Sequence, residues 1–525
     1  MLPLAGRLAK FGRNYGFSVR ASLLTVAAWG YGKSMSSSTG PSVAIVGTGF
    51  GGIGMALELK RAGLDDFVIL EKGDDIGGVW RENTYPGAAC DIPSPYYSFS
   101  TEPNPAWSSR FSPQGEIKEY MRRVVNDNDL MPHIRFGAEV TSATFDEAHA
   151  QWRLATDTGE EFTADVFVPA TGQLSRPALP HIEGIETFRG PSFHSAEWDH
   201  SVDLRGKRVA VIGTGASAVQ FVPAIQPDVE HMTVFQRSAP WVLPRPEVVY
   251  KQWHHTMFRK LPFTRVAERF AFWLLCEVLA LALVDVPKMR PLFAAIARFH
   301  LRRQVPDRRL RAKLTPDYEP GCKRGLFSGD YYPALGRPNV HLETTGIERI
   351  EPEGVRTTDG TLHRADVIIY GTGFKTSEFL GPMAVHGLDG RKLADEWSEG
   401  AHAYLGMTVP GFPNMFLMYG PNTNLGVGSI IYMLECQARY IGKAVRLLAR
   451  DGARAMDVKE DVARRFDQRL QSRLNRSVWT LCSSWYRNEH GRITNNWPGT
   501  VSSYRLATRT LDPDDYRLLD REEAA

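Results

Sequence analysis

The feature that most restricts what this chain can fold into is a strand, a glycine turn and a helix that occur together twice. In the first copy the apolar run Val43-Ala44-Ile45-Val46 leads at once into Gly47-Thr48-Gly49-Phe50-Gly51-Gly52 and the helical apolar positions Met55, Leu57 and Leu59. Gly47 permits the tight turn, Gly49 lets backbone approach a pyrophosphate, and Gly52 lets helix pack on strand, while the helix N-terminus offers N–H donors to phosphate. The next strand, Phe67 to Leu70, ends in Glu71, an acid suited to ribose hydroxyls and unsuited to a 2'-phosphate. In the second copy Arg208 to Ile212 leads into Gly213-Thr214-Gly215-Ala216-Ser217-Ala218, with Ala218 as the small packing residue. Its next strand, Met232 to Phe235, ends in Gln236-Arg237-Ser238, and a cation beside a hydroxyl suits a 2'-phosphate. Two different dinucleotides are expected, the second of them NADPH. Phe50, Gly51 and Lys72 are counted with the first site, and Thr214, Ala216, Ser217 and Gln220 with the second.

The chain has 525 residues, too many for one core, since single cores stop growing near ~250–300 residues. The expected fold class is α/β, with two Rossmann-like dinucleotide-binding domains and a helical insertion. An internal echo sets the order: Ala164-Asp165-Val166-Phe167-Val168 leads to Thr171-Gly172, and Ala365-Asp366-Val367-Ile368-Ile369 leads to Thr372-Gly373. The second nucleotide domain is therefore expected as an insert in the first. The expected boundaries are an N-terminal extension over 1–40, a first nucleotide domain over 41–175 and 375–525, a second over 176–240 and 325–374, and a helical insertion over 241–324.

Sixty-two basic residues against 59 acidic ones, a net charge of +3, are too balanced for a nucleic-acid binder. Five widely spaced cysteines, Cys90, Cys276, Cys322, Cys436 and Cys482, form no C-x-x-C pair. Neither a disulfide framework nor a redox dithiol is indicated, no metal site is expected, and a cytoplasmic location fits best. The acid-free basic start (Arg7, Lys10, Arg13, Arg20, Lys33) admits a targeting segment, but Met35 followed by a Ser-rich lead favours an added upstream start. The apolar run Phe270 to Val286 is shorter than the ~20 residues of a membrane span and carries Glu277 and Asp285, so it is read as a buried helix. Attachment to a membrane surface through Arg265, Arg269, Lys288 and Arg290 is the alternative.

Between the two glycine turns lies Phe188-Arg189-Gly190-Pro191-Ser192-Phe193-His194-Ser195-Ala196-Glu197-Trp198-Asp199. The segment fits F-x-G-x-x-x-H-x-x-x-W-D and resembles the signature of type I Baeyer-Villiger monooxygenases, class B flavoprotein monooxygenases. The resemblance runs through Gly77-Gly78-Val79-Trp80, Asn83-Thr84-Tyr85-Pro86-Gly87-Ala88-Ala89-Cys90-Asp91, Gly321-Cys322-Lys323-Arg324 and Tyr419-Gly420-Pro421-Asn422-Thr423-Asn424. It implies FAD in the first site and NADPH in the second, with O2 and a hydrophobic ketone as substrates and an ester or lactone as product through a C4a-peroxyflavin. It further implies that Arg324 supplies the fixed positive charge a peroxide anion needs, with Asp91 as its acidic partner. Lys323 is implied at the NADPH ribose phosphate, Trp485 on a C-terminal loop reaching NADP and substrate, and Trp80 and Tyr97 beside the flavin ring. His194 is expected to couple cofactor position to domain orientation rather than to transfer protons.

The rival reading is an N- or S-oxygenating flavin-containing monooxygenase, which shares the fold but uses an electrophilic hydroperoxide. A disulfide reductase is set aside because it needs a dithiol beside the flavin. A membrane-tethered flavoprotein that does not oxygenate is a further alternative.

Overall fold

The computed structural model describes residues 40–519 apart from 285, 483 and 485, with the side chains of 283 and 284 also left out. The expected extension at residues 1–40 and the Trp485 assignment thus lie essentially outside the described residues.

Two parallel sheets carry the two glycine turns. The first has Val43–Val46 at its centre, flanked by Phe67–Glu71 and then Ile134–Phe136 on one side and by Val166–Pro169 on the other. The second runs in the order Val340–Glu343, His231–Phe235, Arg208–Ile212, Val367–Tyr370 and Ser192–His194, parallel throughout. The central strands are buried along their length, as strands covered on both faces must be, and their Val and Ile side chains feed apolar clusters on either side. In each unit an antiparallel meander, residues 140–164 or 347–364, precedes the last parallel strand.

The echoed Ala-Asp-Val segments have a physical reason that their sequence does not show. The Asp165 carboxylate accepts from the Ser42 N–H and hydroxyl, both at 2.8 Å, tying the last strand to the start of the first. Asp366 does the same in the second unit, accepting from the Arg208 N–H at 2.8 Å and from its guanidinium at 2.6 Å.

The chain crosses between the units twice, and the crossings pair with each other. Ala178 N–H donates to Gly373 O at 2.9 Å and Lys375 N–H to Arg176 O at 2.9 Å, around an antiparallel bridge between Pro177 and Phe374. After the second crossing the backbone returns to the first sheet, where Phe416 N–H donates to Phe167 O and Met418 N–H to Pro169 O, each at 2.9 Å. Between residues 241 and 324 lie four helices, Gln252–Lys260, Pro262–Val284, Arg290–Gln304 and Arg308–Lys313. A short parallel pairing of Val242–Leu243 with Leu326–Phe327 closes their neck.

Two expectations need correction. The apolar run at 270–286 is not a buried helix: Phe270, Leu274 and Leu275 are 57%, 45% and 50% exposed. The helix is buried on one face only, where Phe272, Trp273, Cys276, Ala280 and Ala282 pack inward beside Arg269 and Glu277. The cysteines are not all free either, since Cys322 and Cys482 form a disulfide with Cα atoms 6.1 Å apart. A separation of 160 residues leaves no spacing signal for such a pair.

Candidate active site at the junction of the two nucleotide folds

The glycines of the first turn are required by close contacts. Gly47 has φ +106°, and a Cβ there would lie 2.8 Å from Ala170 O, while a Cβ on Gly52 would lie 1.9 Å from Gly47 O. Gly49 starts the helix Phe50–Ala62 without a side-chain cap, so the first-turn N–H groups have no side-chain acceptor. Opposite it stands Gly78, whose Cβ would be 3.0 Å from Gly49 Cα, so two bare backbone segments form the wall of the groove. Gly51 packs against Ala170 and Met418, and Phe50 is buried against Tyr97 and Phe99 at ring distances of 5.4 and 5.3 Å.

Glu71 is buried and accepts four hydrogen bonds: Thr48 N–H at 2.9 Å, Thr48 Oγ1 at 2.6 Å, Gly73 N–H at 2.9 Å and Arg81 Nη1 at 2.6 Å. Burial pushes its pKa up, but the bonds from Thr48, Arg81 and Gly73 outweigh it and hold the carboxyl below its ordinary range. Arg81 is a residue that the sequence reading missed, since a helical turn hides its approach to Glu71. Lys72 is exposed and lies 3.8 Å from Glu82. Trp80 Nε1 donates to Tyr97 OH at 3.2 Å, and the two rings meet edge to face at 5.7 Å.

The second turn repeats the first. Gly213 has φ +111° and a Cβ there would lie 2.4 Å from Gly371 O; Gly215 starts the helix Ala216–Ile225, again without a side-chain cap. Gly215 and Ala216 are exposed at the mouth, Ser217 is half-buried, and Thr214 Oγ1 donates to Ser238 O at 3.3 Å. Lys323 Nζ donates to Ser238 Oγ at 2.9 Å and lies 4.6 Å from the Tyr318 ring centre. Burial and the neighbouring Arg237 guanidinium both push the Lys323 pKa down. Arg237, Ser238 and Lys323 thus form a cationic corner at the end of the strand His231–Phe235.

Gln220 joins the two halves. Its side chain accepts from Tyr85 OH at 2.8 Å and donates to Ala89 O at 2.9 Å, and a Cβ on Gly87 would lie 2.8 Å from Gln220 O. The segment 83–91 is thereby pressed onto the second nucleotide helix. A cavity of about 330 Å³ opens along it, lined by Tyr85, Gly87, Ala89, Phe111, Gln114 and Arg245.

At the end of that segment Asp91 meets Arg324. Asp91 Oδ2 accepts from Arg324 Nη2 at 2.6 Å and from Nε at 3.1 Å, although the residues are 233 positions apart. Arg324 and Asp91 are partly shielded, at 33% and 23% side-chain exposure, and Asp91 with the hydroxyls of Tyr486 and Tyr419 drives the guanidinium pKa upward. The Cys322–Cys482 disulfide lies two residues before Arg324 and ties its segment to the one that leads into the C-terminal loop. This corrects the sequence ground for setting a disulfide reductase aside. Cys322 is fully buried and Cys482 half-buried.

His194 lies on the strand Ser192–His194, paired with Tyr370 and packed edge to face on Phe374 at 5.6 Å, beside the paired crossings. Its Nδ1 accepts from Ala196 N–H at 3.1 Å, which puts the ring proton on Nε2. Burial pushes its pKa down, with Glu197 and the Gly373 backbone opposing, so the ring is neutral. Gln173 and Asn495, also missed from the sequence, lock the crossings to the C-terminal part: Gln173 Nε2 donates to Tyr419 O at 3.0 Å and Asn495 Nδ2 to Thr376 O at 3.0 Å.

Comparisons with known proteins agree with this plan. The family model described as pyridine nucleotide-disulphide oxidoreductase matches residues 44–261. A Baeyer-Villiger monooxygenase of Streptomyces coelicolor is 44% identical, covering 91% of this chain and 92% of that protein. One from Pseudomonas aeruginosa is 42% identical over 94% and 96%. Among solved structures, OTEMO in complex with FAD and NADP superposes with a TM-score of 0.83 at 28% identity, covering 92% of this chain and all of that one. An oxidized steroid monooxygenase bound to NADP gives 0.82 at 29% identity, with the same coverage. Relatives this similar over almost the whole length settle the matter: the chain belongs to the Baeyer-Villiger monooxygenase family.

Proposed function

We propose that this protein is an FAD-containing, NADPH-dependent monooxygenase that converts a hydrophobic ketone to an ester or lactone with one oxygen atom of O2. The observation that carries the reading is the Asp91-bound Arg324 guanidinium at the junction of the two nucleotide folds.

The residues fit both cofactors. The uncapped helix start at Gly49, facing Gly78, suits a close pyrophosphate, and the corner of Arg237, Ser238 and Lys323 suits a 2'-phosphate. We assign FAD to Gly47, Gly49, Phe50, Gly51, Gly52, Glu71, Lys72, Trp80, Asp91 and Tyr97. Because Glu71 already accepts four bonds, a ribose hydroxyl there takes the place of one donor or adds to them. We assign NADPH to Gly213, Thr214, Gly215, Ala216, Ser217, Gln220, Arg237, Ser238, Lys323 and Trp485. On this reading the first nucleotide domain spans 41–175 and 375–525, and the second 176–240 and 325–374. The location is cytoplasmic, where NADPH is regenerated.

FAD held at the first turn would supply the redox chemistry, as acceptor of a hydride from NADPH and donor of electrons to O2. Arg324 holds positive charge where negative charge develops on oxygen, in a partly shielded site where fixed charge outperforms water. Asp91 fixes the plane of the guanidinium and offsets part of its charge. His194, neutral and packed on Phe374, positions the second unit at the crossings rather than moving a proton.

The test supplies an aryl ketone and a thioether with NADPH. Ester in clear excess over sulfoxide is the expected result; sulfoxide alone would assign the protein to heteroatom oxygenation.

A further inference from the structure

The long insertion helix carries apolar side chains toward solvent as well as toward the core. Its solvent-facing positions Phe263, Val266, Phe270, Leu274 and Leu275 are 67%, 61%, 57%, 45% and 50% exposed, and the exposed positions between them are Ala267 and Ala271. These succeed one another at alternating steps of three and one along a helix, so they form one uninterrupted apolar stripe. The opposite face packs Phe272, Trp273 and Cys276 on the core, and the polar groups it carries are bolted down. Arg269 Nη1 donates to Pro95 O at 2.8 Å and Ser98 O at 3.0 Å, Glu268 accepts from Tyr250 OH at 2.7 Å, and Glu277 accepts from Ser502 N–H at 3.2 Å. A helix on a water-facing surface turns polar side chains outward instead.

The next helix adds Leu292, Ile296 and Phe299, at 58%, 41% and 67% exposure, and Trp253 and Leu261 stand at 60% and 47% just before the stripe. Around this apolar surface the exposed charges are cations in excess, Lys251, Arg259, Lys260, Lys288, Arg298, Arg302 and Arg303, against the exposed acids Glu247 and Asp307 at either end of the insertion. Among the described residues from 249 to 306 the acids are Glu268 and Glu277, and both face inward. No single described helix is long and apolar enough to cross a bilayer, and the two insertion helices are bent by 109°.

We propose that this insertion docks the enzyme on an anionic lipid surface, with the apolar stripe at the level of the acyl chains and the basic residues among the headgroups. An apolar face with a cationic rim is what an interfacial element needs, and each cation near such a surface is worth about fivefold in partitioning. Charge also decides against a second copy as the occupant, because a two-fold contact would bring the same cations face to face. The inference is independent of the reaction assignment, since it rests on residues outside the nucleotide folds.

The experiment floats the flavin-loaded full chain with vesicles of phosphatidylcholine alone and of an equal mixture with phosphatidylglycerol. The protein is expected to float with the mixed vesicles, to leave them in high salt by about tenfold or more, and to ignore the neutral ones. The double variant Phe270→Ser and Leu274→Ser, and separately Arg259→Glu with Lys260→Glu, are each expected to cut flotation by about tenfold or more while turnover of a water-soluble ketone stays unchanged. Sedimentation of the same samples separates the rival. Failure of the wild type to float with mixed vesicles, or loss of a stable dimer on Phe270→Ser with flotation unaffected, would overturn the proposal.

Discussion

The two glycine turns of this molecule share their backbone geometry and differ in the residues at the far end of the adjoining strand. In both, a positive-φ glycine stands where a Cβ would strike the carbonyl of the neighbouring loop, Ala170 O in one and Gly371 O in the other. In both, an aspartate ties the last strand to the first through its backbone N–H. At the end of the second strand they part. Glu71 is buried under four donors, whereas Arg237 is exposed beside Lys323 and Ser238. The glycines and aspartates make the fold, and on the proposed reading the residue at the end of the second strand chooses the nucleotide.

The comparison breaks most sharply at the glycines. Gly52→Ala puts a methyl 1.9 Å from Gly47 O and is expected to cost about 4 kcal/mol and to give protein without bound flavin. Gly213→Ala puts one 2.4 Å from Gly371 O in the other unit. This variant is expected to keep its flavin and to show KM for NADPH raised about a hundredfold or more. If both variants lose flavin alike, the two turns do not serve separate nucleotides.

Removing the cationic corner with Arg237→Ala and Lys323→Ala is the next largest effect. Two charge-assisted contacts to phosphate are lost, so KM for NADPH rises about a hundredfold while that for NADH stays within about threefold. Equal losses for both nucleotides would place the corner elsewhere than at the 2'-phosphate.

A smaller effect is a proton count. Lys323 is pushed down by burial and by Arg237, and a phosphate dianion beside it pulls its pKa back up. Between the lowered and the restored pKa the complex then holds more protons than the free protein, so NADPH binds with proton uptake there and weakens as pH rises. Calorimetry in two buffers of different ionisation enthalpy reads the uptake, and Arg237→Ala is expected to reduce it. Proton release on binding would contradict the assignment.

The glycine turns and strand ends were legible because their physics is local, each residue acting within a few positions of its neighbours in sequence. The contact between Asp91 and Arg324 spans 233 residues, and the sequence pointed to it through family resemblance alone. The pairing of Cys322 with Cys482 had no signal at all, because nothing in the spacing of five scattered cysteines singles out two. The insertion helix teaches a different limit. Periodicity shows which residues share a face, as Phe263, Val266, Phe270 and Leu274 do, but not whether that face meets the core or the solvent. Glu277 and Arg269, buried against Ser502 and Pro95, decide it through partners far away in the chain.

The account stands on Arg324. The direct measurement is the yield of ester per NADPH consumed, with isotopically labelled O2 and an aryl ketone, for the wild type and for Arg324→Ala. The wild type is expected to place one labelled oxygen in the ester for most NADPH molecules used. In the variant that yield is expected to fall by about a hundredfold or more, with hydrogen peroxide released in its place. Labelled ester formed by Arg324→Ala at the wild-type ratio would contradict the account.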